Sequence, residues 1–275
     1  MSPERPSTTL SERSERFRSL HARGRLLVLP NVWDAASAGL FESLGAEALA
    51  TSSAALCWAH GYPDGGAFPR DVLLGAVREI VRVVRVPVSV DVEAGYSDEP
   101  ERVGELAATI ALAGGVGINL EDGKRAPELL AAKIAAAKSA APEVFVNARA
   151  DVFLRQLVPP DRALRETLER IERYAKAGCD GVFVPGVIEP DAIRAIVAAT
   201  PLPVNVLARA DLAPVAELRA LGVRRLSVGA GPARAALGAA RRAARELLQE
   251  GRYEALFKDA VDAAELNALF HRETP

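Results

Sequence analysis

Acidic side chains close several apolar runs of this sequence. Asp91 and Glu93 end the run VSVDVE, and Glu121 ends the run GINLED. A spacing of two residues places Asp91 and Glu93 on the same side of an extended strand. Carboxylates that converge without partners repel one another, so we expect a divalent cation among them. An all-oxygen ligand set favours Mg²⁺, with Mn²⁺ as the other candidate.

Residues that could bind an acidic substrate lie in or directly after the neighbouring apolar runs. Arg149 lies in NARAD, and its guanidinium fork matches the two oxygens of a carboxylate. Hydroxyl and backbone N–H groups follow the second run, and an amide lies in the seventh. The residues predicted to bind substrate are therefore Thr51, Ser52, Ser53, Arg149 and Asn205.

The same acidic residues also have a structural interpretation. Arg149 and Lys124 could neutralise Asp91, Glu93 and Glu121 in an ion-pair network that holds no metal. Convergence of several carboxylates on one place favours the metal site over this network.

His60 is the histidine placed near the predicted mouth, and its ordinary pKa near neutrality suits a general acid or base. Cys57 lies close to it in sequence. A free cysteine is usually a small buried apolar residue, and we interpret Cys57 in this way.

Eight β-rich runs alternate with helical patterns along the chain. Most of the runs are continuously apolar, as in parallel strands buried on both faces. No GxGxxG motif opens the first unit, so we predict a closed (β/α)8 TIM barrel rather than an open doubly wound sheet. The runs are LLVLP, ALATSS, VSVDVE, GINLED, VFVNARAD, GVFVPG, PVNVLA and RRLSVG.

The chain is predicted to form one domain over residues 1–275, with the barrel over about 25–248 and a helical tail over 249–275. A leading helix over 11–21 would be capped by Ser11, and Asp34 would cap the next helix. Further helices are predicted over 71–85, 101–113, 128–140, 161–177, 191–199 and 232–249.

Composition excludes several classes of protein. The 34 Lys and Arg nearly balance the 36 Asp and Glu, and only 5% of residues are aromatic, which argues against a nucleic-acid partner. Two cysteines and three histidines argue against a disulfide scaffold and a closed zinc site. No run reaches the roughly 18 apolar residues of a membrane span, and the first residues lack the core of a secretory signal. We therefore expect a cytoplasmic protein without a membrane partner.

Six segments follow one another in a fixed order: LPNVWDAASAGLFESLGAEALATSS, GYPDGG, VDVEAG, GINLED, NARAD and PVNVLA. Together they resemble the isocitrate lyase/phosphoenolpyruvate mutase superfamily. The resemblance implies a (β/α)8 barrel that assembles as a homodimer or homotetramer and binds Mg²⁺. It also implies cleavage or formation of C–C or P–C bonds in small 2-oxo or 2-hydroxy acids through an enolate-like species.

The resemblance also implies roles for single residues. Ser52 and Arg149 match substrate-binding positions, and Asp91 matches the direct metal ligand. The carboxylates that match water-mediated metal ligands are Asp64, Glu93 and Glu121.

One segment departs from the family pattern. Lyases of the superfamily carry Lys-Lys/Arg-Cys-Gly-His after the glutamate that Glu121 matches, whereas this chain continues DGKRAP. Lys124 is a candidate for the lysine of the mutase branch, whose loop is longer.

The sequence thus predicts a Mg²⁺-dependent carbon–carbon lyase acting on a small 2-oxo or 2-hydroxy carboxylic acid. The residues predicted to act in the chemistry are Arg149, Asp64 and His60. The alternatives are a phosphonate P–C mutase or hydrolase and a non-catalytic 2-oxo acid binding protein. A sugar-phosphate enzyme with a phosphate turn over 227–231 ranks last.

Overall fold

A computed structural model describes residues 9–22 and 24–270, and its parallel sheet closes into a barrel. The predicted domain of 1–275 also includes residues 1–8, 23 and 271–275, which lie outside the described residues. All neighbouring strands pair in parallel, which confirms the predicted fold class. The strands are β1 (Leu27–Leu29), β2 (Asn31–Val32), β3 (Leu49–Thr51), β4 (Val88–Asp91), β5 (Gly117–Glu121), β6 (Phe145–Arg149), β7 (Gly181–Phe183), β8 (Val204–Leu207) and β9 (Arg225–Ser227).

The barrel closes through a broken first strand. Pro30 separates β1 from β2, because a proline has no N–H to donate to a ladder. β1 pairs with β9, and β2 pairs with β3, so the two short strands fill one barrel position. The run LLVLP was predicted as the first strand. β1 lies within that run, and the structure adds β2 beyond Pro30, where no strand was predicted.

Helices follow the strands and cover the barrel. The helices predicted over 71–85, 101–113, 128–140, 161–177 and 191–199 are confirmed to within two residues at each end. The helices are α1 (Leu10–Ser19), α2 (Ala35–Ser43), α3 (Ser53–Ala59), α4 (Arg70–Val83), α5 (Pro100–Leu112), α6 (Pro127–Ala140), α7 (Val152–Arg155), α8 (Pro160–Lys176), α9 (Pro190–Ala199), α10 (Val215–Ala220), α11 (Gly231–Arg245), α12 (Glu254–Phe257) and α13 (Ala263–Ala268).

Two helix ends differ from the prediction. Ser11 does not cap α1. The Thr9 hydroxyl accepts the Glu12 N–H at 3.2 Å, and the Glu12 carboxylate accepts the Thr9 N–H. The predicted helix over 232–249 is α-helical only as far as Arg245 and continues as a π-helical turn, Glu246–Glu250. Asp34 caps α2 as predicted.

The amino-terminal end of the barrel is filled by apolar side chains. Phe17 of α1 is fully buried and packs against Leu27, Leu29 and Phe145. The rings of Phe17 and Phe145 meet edge to face at 5.3 Å. Polar groups able to meet a ligand therefore collect at the opposite, carboxyl-terminal end of the strands. Among the described helices, none has the length and apolar character of a membrane-spanning segment.

Candidate active site

Asp91 ends β4 at the mouth of the barrel, and within the described part of the chain its carboxylate accepts hydrogen bonds only from backbone. One carboxylate oxygen is 3.3 Å from the Ser53 N–H nitrogen, and the other is 3.3 Å from the Glu93 nitrogen. The backbone N–H of Asp91 donates to Thr51 Oγ1 at 2.9 Å, which fixes the strand end. Within residues 9–22 and 24–270, no lysine or arginine forms an ion pair with Asp91. Its negative charge is thus left for a ligand to balance.

Glu93 is held in an unusual backbone conformation beside Asp91. Its φ of 49° lies in the left-handed region, which is uncommon for a residue with a side chain. Its carbonyl accepts the N–H of Glu121 at 2.9 Å, which ties this turn to β5. Glu93 Oε1 is buried and has no hydrogen-bond partner in the described chain. A buried carboxylate oxygen without a donor is what a cation site requires.

The electrostatics of Glu93 agree with this geometry. Burial raises its pKa to about 7, and repulsion from Asp91, Asp64 and Glu121 adds to the rise. The carboxylates of Asp64 and Glu93 and the Cys57 sulfur lie within 4.8 Å of one another. These oxygens fit Mg²⁺, which usually keeps several of its waters and needs few direct carboxylate ligands.

Cys57 contributes little to this chemistry at neutral pH. Burial raises the pKa of its thiol to about 11, and the neighbouring carboxylates Glu93, Asp64 and Asp91 add to the effect. The thiol therefore stays protonated and is a poor nucleophile. This agrees with the interpretation of Cys57 as a small buried residue.

Glu121 belongs to a compact group of four charged residues, here called the charge cluster: Glu121, Arg149, Asp151 and Arg155. Glu121 Oε2 lies 2.7 Å from Arg149 Nη1, and Oε1 lies 3.1 Å from Arg155 Nη2. Asp151 accepts from Arg149 Nε at 2.6 Å and from Arg155 Nε at 2.7 Å. Burial works against the charge of Arg149, but its acidic neighbours outweigh burial and raise its pKa above the ordinary range. The two arginines neutralise the two acids.

Of Asp91, Glu93 and Glu121, one has the basic partner that the structural interpretation predicted. Glu121 is paired with Arg149, whereas Asp91 and Glu93 have no basic partner in the part of the chain that the structure describes. Lys124 forms no ion pair among those residues either. Burial raises the pKa of Glu121, although Arg149 opposes the rise.

Sequence reasoning missed Arg155. It lies four residues after Asp151 and ends the short helix α7, so the two side chains share one helix face. That spacing was the available signal.

Sequence reasoning also assigned no role to Asp122. Its side chain turns away from the mouth of the barrel. Its Oδ2 accepts from Arg170 Nη1 at 2.8 Å and from the Tyr174 hydroxyl at 2.6 Å. Its Oδ1 accepts the Asp151 N–H at 2.9 Å. Asp122 therefore anchors the backbone beneath the charge cluster.

A cleft of about 460 Å³ opens above these groups. Its wall carries both acidic and basic side chains, and Asp98 and Glu121 are ion-paired with Arg125 and Arg155. The charged residues of the lining are Glu93, Asp98, Glu121, Lys124, Arg125 and Arg155.

The other residues predicted to bind substrate or to act in the chemistry lie in different parts of the barrel. Ser52 caps α3, with its Oγ 3.4 Å from the Ala55 nitrogen. Thr51 is fully buried and supports Asp91, as described above. Asn205 is also fully buried, and its amide donates to Ser227 Oγ at 3.0 Å inside the barrel. His60 ends α3, where Nδ1 lies 2.9 Å from the Leu56 carbonyl oxygen, and it does not line the cleft of the described chain.

Of the predicted site residues, Glu93 and Glu121 line the cleft of the described chain. Asp64 and Asp91 lie close enough to Glu93, and Arg149 close enough to Glu121, to act on their charges.

Two backbone N–H groups of the turn over 227–231 are already engaged within the protein. The N–H groups of Val228 and Gly229 both donate to Asn31 Oδ1, each at 2.9 Å. A side-chain oxygen of the protein already occupies the place that a phosphate oxygen would take. This argues against a sugar-phosphate site at this turn.

Replacing Glu93 with glutamine should flatten the pH dependence of stability in the metal-free protein. The folded-state pKa of Glu93, about 7, exceeds the ordinary value of 4.5, so folding favours the protonated form. This contribution is complete below about pH 4.5 and is lost as pH rises through about 7. Melting temperatures measured in a chelator from pH 5 to pH 8 should fall in the wild type relative to Glu93→Gln. Equal slopes in the two proteins would contradict the prediction, and Glu121 titrates in both.

Comparison with known proteins gives a consistent picture. The family model for phosphoenolpyruvate phosphomutase matches residues 17–248. An uncharacterised protein of Mycobacterium tuberculosis is 41% identical over 234 residues, which cover 83% of this chain and 87% of that protein. An oxaloacetate decarboxylase of Bradyrhizobium is 31% identical over 281 residues and is aligned over 96% of this chain and 94% of its own length.

Solved structures share the same architecture. A provisionally named phosphonomutase from Burkholderia cenocepacia has a TM-score of 0.81 and 43% identity, covering 85% of this chain and 99% of that one. A phosphonopyruvate hydrolase in complex with oxalate and Mg²⁺ has a TM-score of 0.83 at 24% identity, covering 96% and 95% of the two chains. The second likeness concerns the fold alone.

Proposed function

Because the chain belongs to the phosphoenolpyruvate phosphomutase family, within the phosphoenolpyruvate mutase/isocitrate lyase superfamily, we propose that it is a Mg²⁺-dependent carbon–carbon lyase. Its substrate would be a small 2-oxo or 2-hydroxy carboxylic acid. The observation that carries the proposal is the pair Asp91 and Glu93, whose charges have no basic partner in the described residues. The similarity to an oxaloacetate decarboxylase along nearly the whole chain supports this reaction class.

Asp91, Glu93 and Asp64 would hold the ion, and Glu121 would support it from the charge cluster. Mn²⁺ is the other ion that the oxygen ligands suit. When bound, the metal supplies Lewis-acid polarisation of the substrate's carbonyl or hydroxyl oxygen.

The chain's own groups would shape the site in which the substrate acid binds. The Ser53 N–H and the Ser52 end of α3 lie beside Asp91 and fix its carboxylate. Arg149 is buried within the charge cluster, where its positive charge faces the acids of the mouth and favours negative charge on a nearby substrate. His60 and Asn205 remain predictions with no contact to the cleft among the described residues.

Phosphonate chemistry is the second candidate. The 43% identity to a provisionally named phosphonomutase favours it, as does Lys124 in the cleft lining, which has no ion pair among the described residues. In this candidate a P–C bond would break while the same carboxylates hold the metal.

Turnover assays separate these possibilities. The purified protein with Mg²⁺ would be given oxaloacetate, and CO₂ release would be followed against the spontaneous rate without protein. Deuterium exchange into pyruvate in D₂O reports enolate formation at the same site, and phosphonopyruvate tests P–C cleavage. Mg²⁺-dependent oxalate binding without turnover of any 2-oxo or 2-hydroxy acid would instead indicate a binding protein and overturn the proposed activity.

We also propose that the protein is a homodimer or homotetramer. Large apolar side chains after residue 236 are exposed in the single chain, with Leu248, Tyr253 and Phe257 at 81%, 60% and 73% exposure. An exposed surface of this kind marks an interaction site. Sedimentation analysis that gave a monomer would contradict this.

A further inference from the structure

The two arginines of the charge cluster are not equivalent. Arg149 directs Nε and Nη2 to Asp151, at 2.6 and 3.2 Å, and Nη1 to Glu121 at 2.7 Å. All three of its nitrogens are therefore engaged by carboxylates. The Arg149 side chain is 14% exposed and does not line the cleft of the described chain.

Arg155 is arranged differently. Nε donates to Asp151 at 2.7 Å and Nη2 donates to Glu121 at 3.1 Å, which fixes the plane of the guanidinium. Nη1 has no hydrogen bond or ion pair within residues 9–22 and 24–270. The side chain is 38% exposed and lines the cleft. Arg155 thus offers an oriented donor to a ligand, whereas Arg149 does not.

Glu93, one of the proposed metal ligands, lines the cleft together with three basic side chains, Lys124, Arg125 and Arg155. Arg125 is tied to Asp98, with 2.6 Å between Nε and Oδ1, and Lys124 is an exposed side chain. The guanidinium of Arg155 is held by Asp151 and Glu121, while its Nη1 has no partner in the described chain.

We infer that Arg155 binds a second acidic group of the substrate and selects di-acids over mono-acids. This inference rests on the proposed function, because the first acidic end must lie at the metal. A guanidinium held in plane by two carboxylates loses little conformational freedom when it binds a third. A ligand with a single acidic group leaves Nη1 of Arg155 in contact with solvent and gains no affinity from it. The preference is therefore the difference in affinity between a di-acid and a mono-acid.

The test compares malate with lactate, which share the 2-hydroxy acid end and differ by one carboxylate. Calorimetric titration with Mg²⁺ present should show malate binding the wild type about tenfold or more tightly than lactate. In Arg155→Gln, malate affinity should fall about tenfold to hundredfold while lactate affinity stays within about threefold, so that the preference disappears. Unchanged lactate binding shows that the variant is folded and that its metal site is intact.

Two further variants keep the test decisive. Arg155→Lys retains the positive charge but lacks the two parallel donors of a guanidinium. It should retain part of the preference for malate over lactate, even if the glutamine variant folds poorly. Arg125→Gln removes a charge from the same wall and should leave the preference unchanged. An equal loss in Arg125→Gln would show that general charge, not Arg155, sets the preference and would overturn the inference.

Failure of the inference and failure of the proposed function give different results. Mg²⁺-dependent binding of lactate and malate with equal affinity would overturn the inference alone. The absence of Mg²⁺-dependent binding of either acid would overturn the proposed function and the inference with it.

Discussion

Replacing Asp91 with asparagine should abolish Mg²⁺-dependent turnover and ligand binding while it stabilises the metal-free protein. Loss of groups that merely orient a metal ligand costs about 10-fold to 100-fold, so loss of the proposed direct ligand should cost at least about 100-fold. The same change removes a charge that raises the pKa of Glu93, so repulsion at the mouth decreases. Asparagine keeps the size of the side chain and one acceptor oxygen for the Ser53 N–H, whereas the Glu93 N–H loses its acceptor, which reduces the gain in stability.

Thermal unfolding with and without Mg²⁺ checks both halves of this prediction. Wild-type protein should gain stability from Mg²⁺, because a ligand that binds only the folded state raises the melting temperature. Asp91→Asn should melt higher than wild type in a chelator and gain nothing from Mg²⁺. Asp161→Asn, which removes an exposed charge in the first turn of α8, is the matched control and should keep the gain. A full Mg²⁺ response in Asp91→Asn would place the ion elsewhere.

The barrel could be predicted because its signals are local. Buried parallel strands read as apolar runs, and helices begin where a proline occupies the first turn, as at Pro100, Pro127 and Pro190. Pro30 marks where the first strand breaks, but the pairing of its two parts with different neighbours, β9 and β3, is not encoded in a local pattern.

The acidic mouth could be predicted for a similar reason. Asp91 and Glu121 each end a strand, and strand ends of a barrel meet at one face. Alternation along a strand also separates Glu121, which faces the cleft, from Asp122, which faces Arg170 outside the barrel.

The sequence did not predict which charged residues form ion pairs or how far below the barrel mouth a side chain lies. The ion pair of Glu121 with Arg155 joins residues 34 positions apart, and only the packed structure brings them together. Asn205 lies two residues before the end of β8, so its amide is one layer below the mouth and pairs with Ser227. The direction of His60 depends on α3, a helix of seven residues too short to leave a clear periodic pattern.

Replacing Asp122 with alanine should destabilise the protein by about 3–5 kcal/mol, because a buried carboxylate with three donors is removed. Arg170 keeps its contact with Glu166 at 2.7 Å, so the value should lie toward the lower end. The Tyr174 hydroxyl and the Asp151 N–H lose their acceptor in a buried environment. The melting temperature should fall on the order of 10 °C, and denaturant unfolding gives the free energy directly.

Tyr174→Phe provides a graded control for this prediction. It removes one of the three donors to Asp122 and leaves Arg170 and the Asp151 N–H in place, so its cost should be about 1–2 kcal/mol. Asp122 also fixes the backbone of Asp151, which orients both arginines of the charge cluster. Asp122→Ala should therefore weaken Mg²⁺-dependent malate binding more than Tyr174→Phe does, even at a temperature where both are folded. Equal malate binding in the two variants would show that Asp122 supports the fold without positioning the charge cluster.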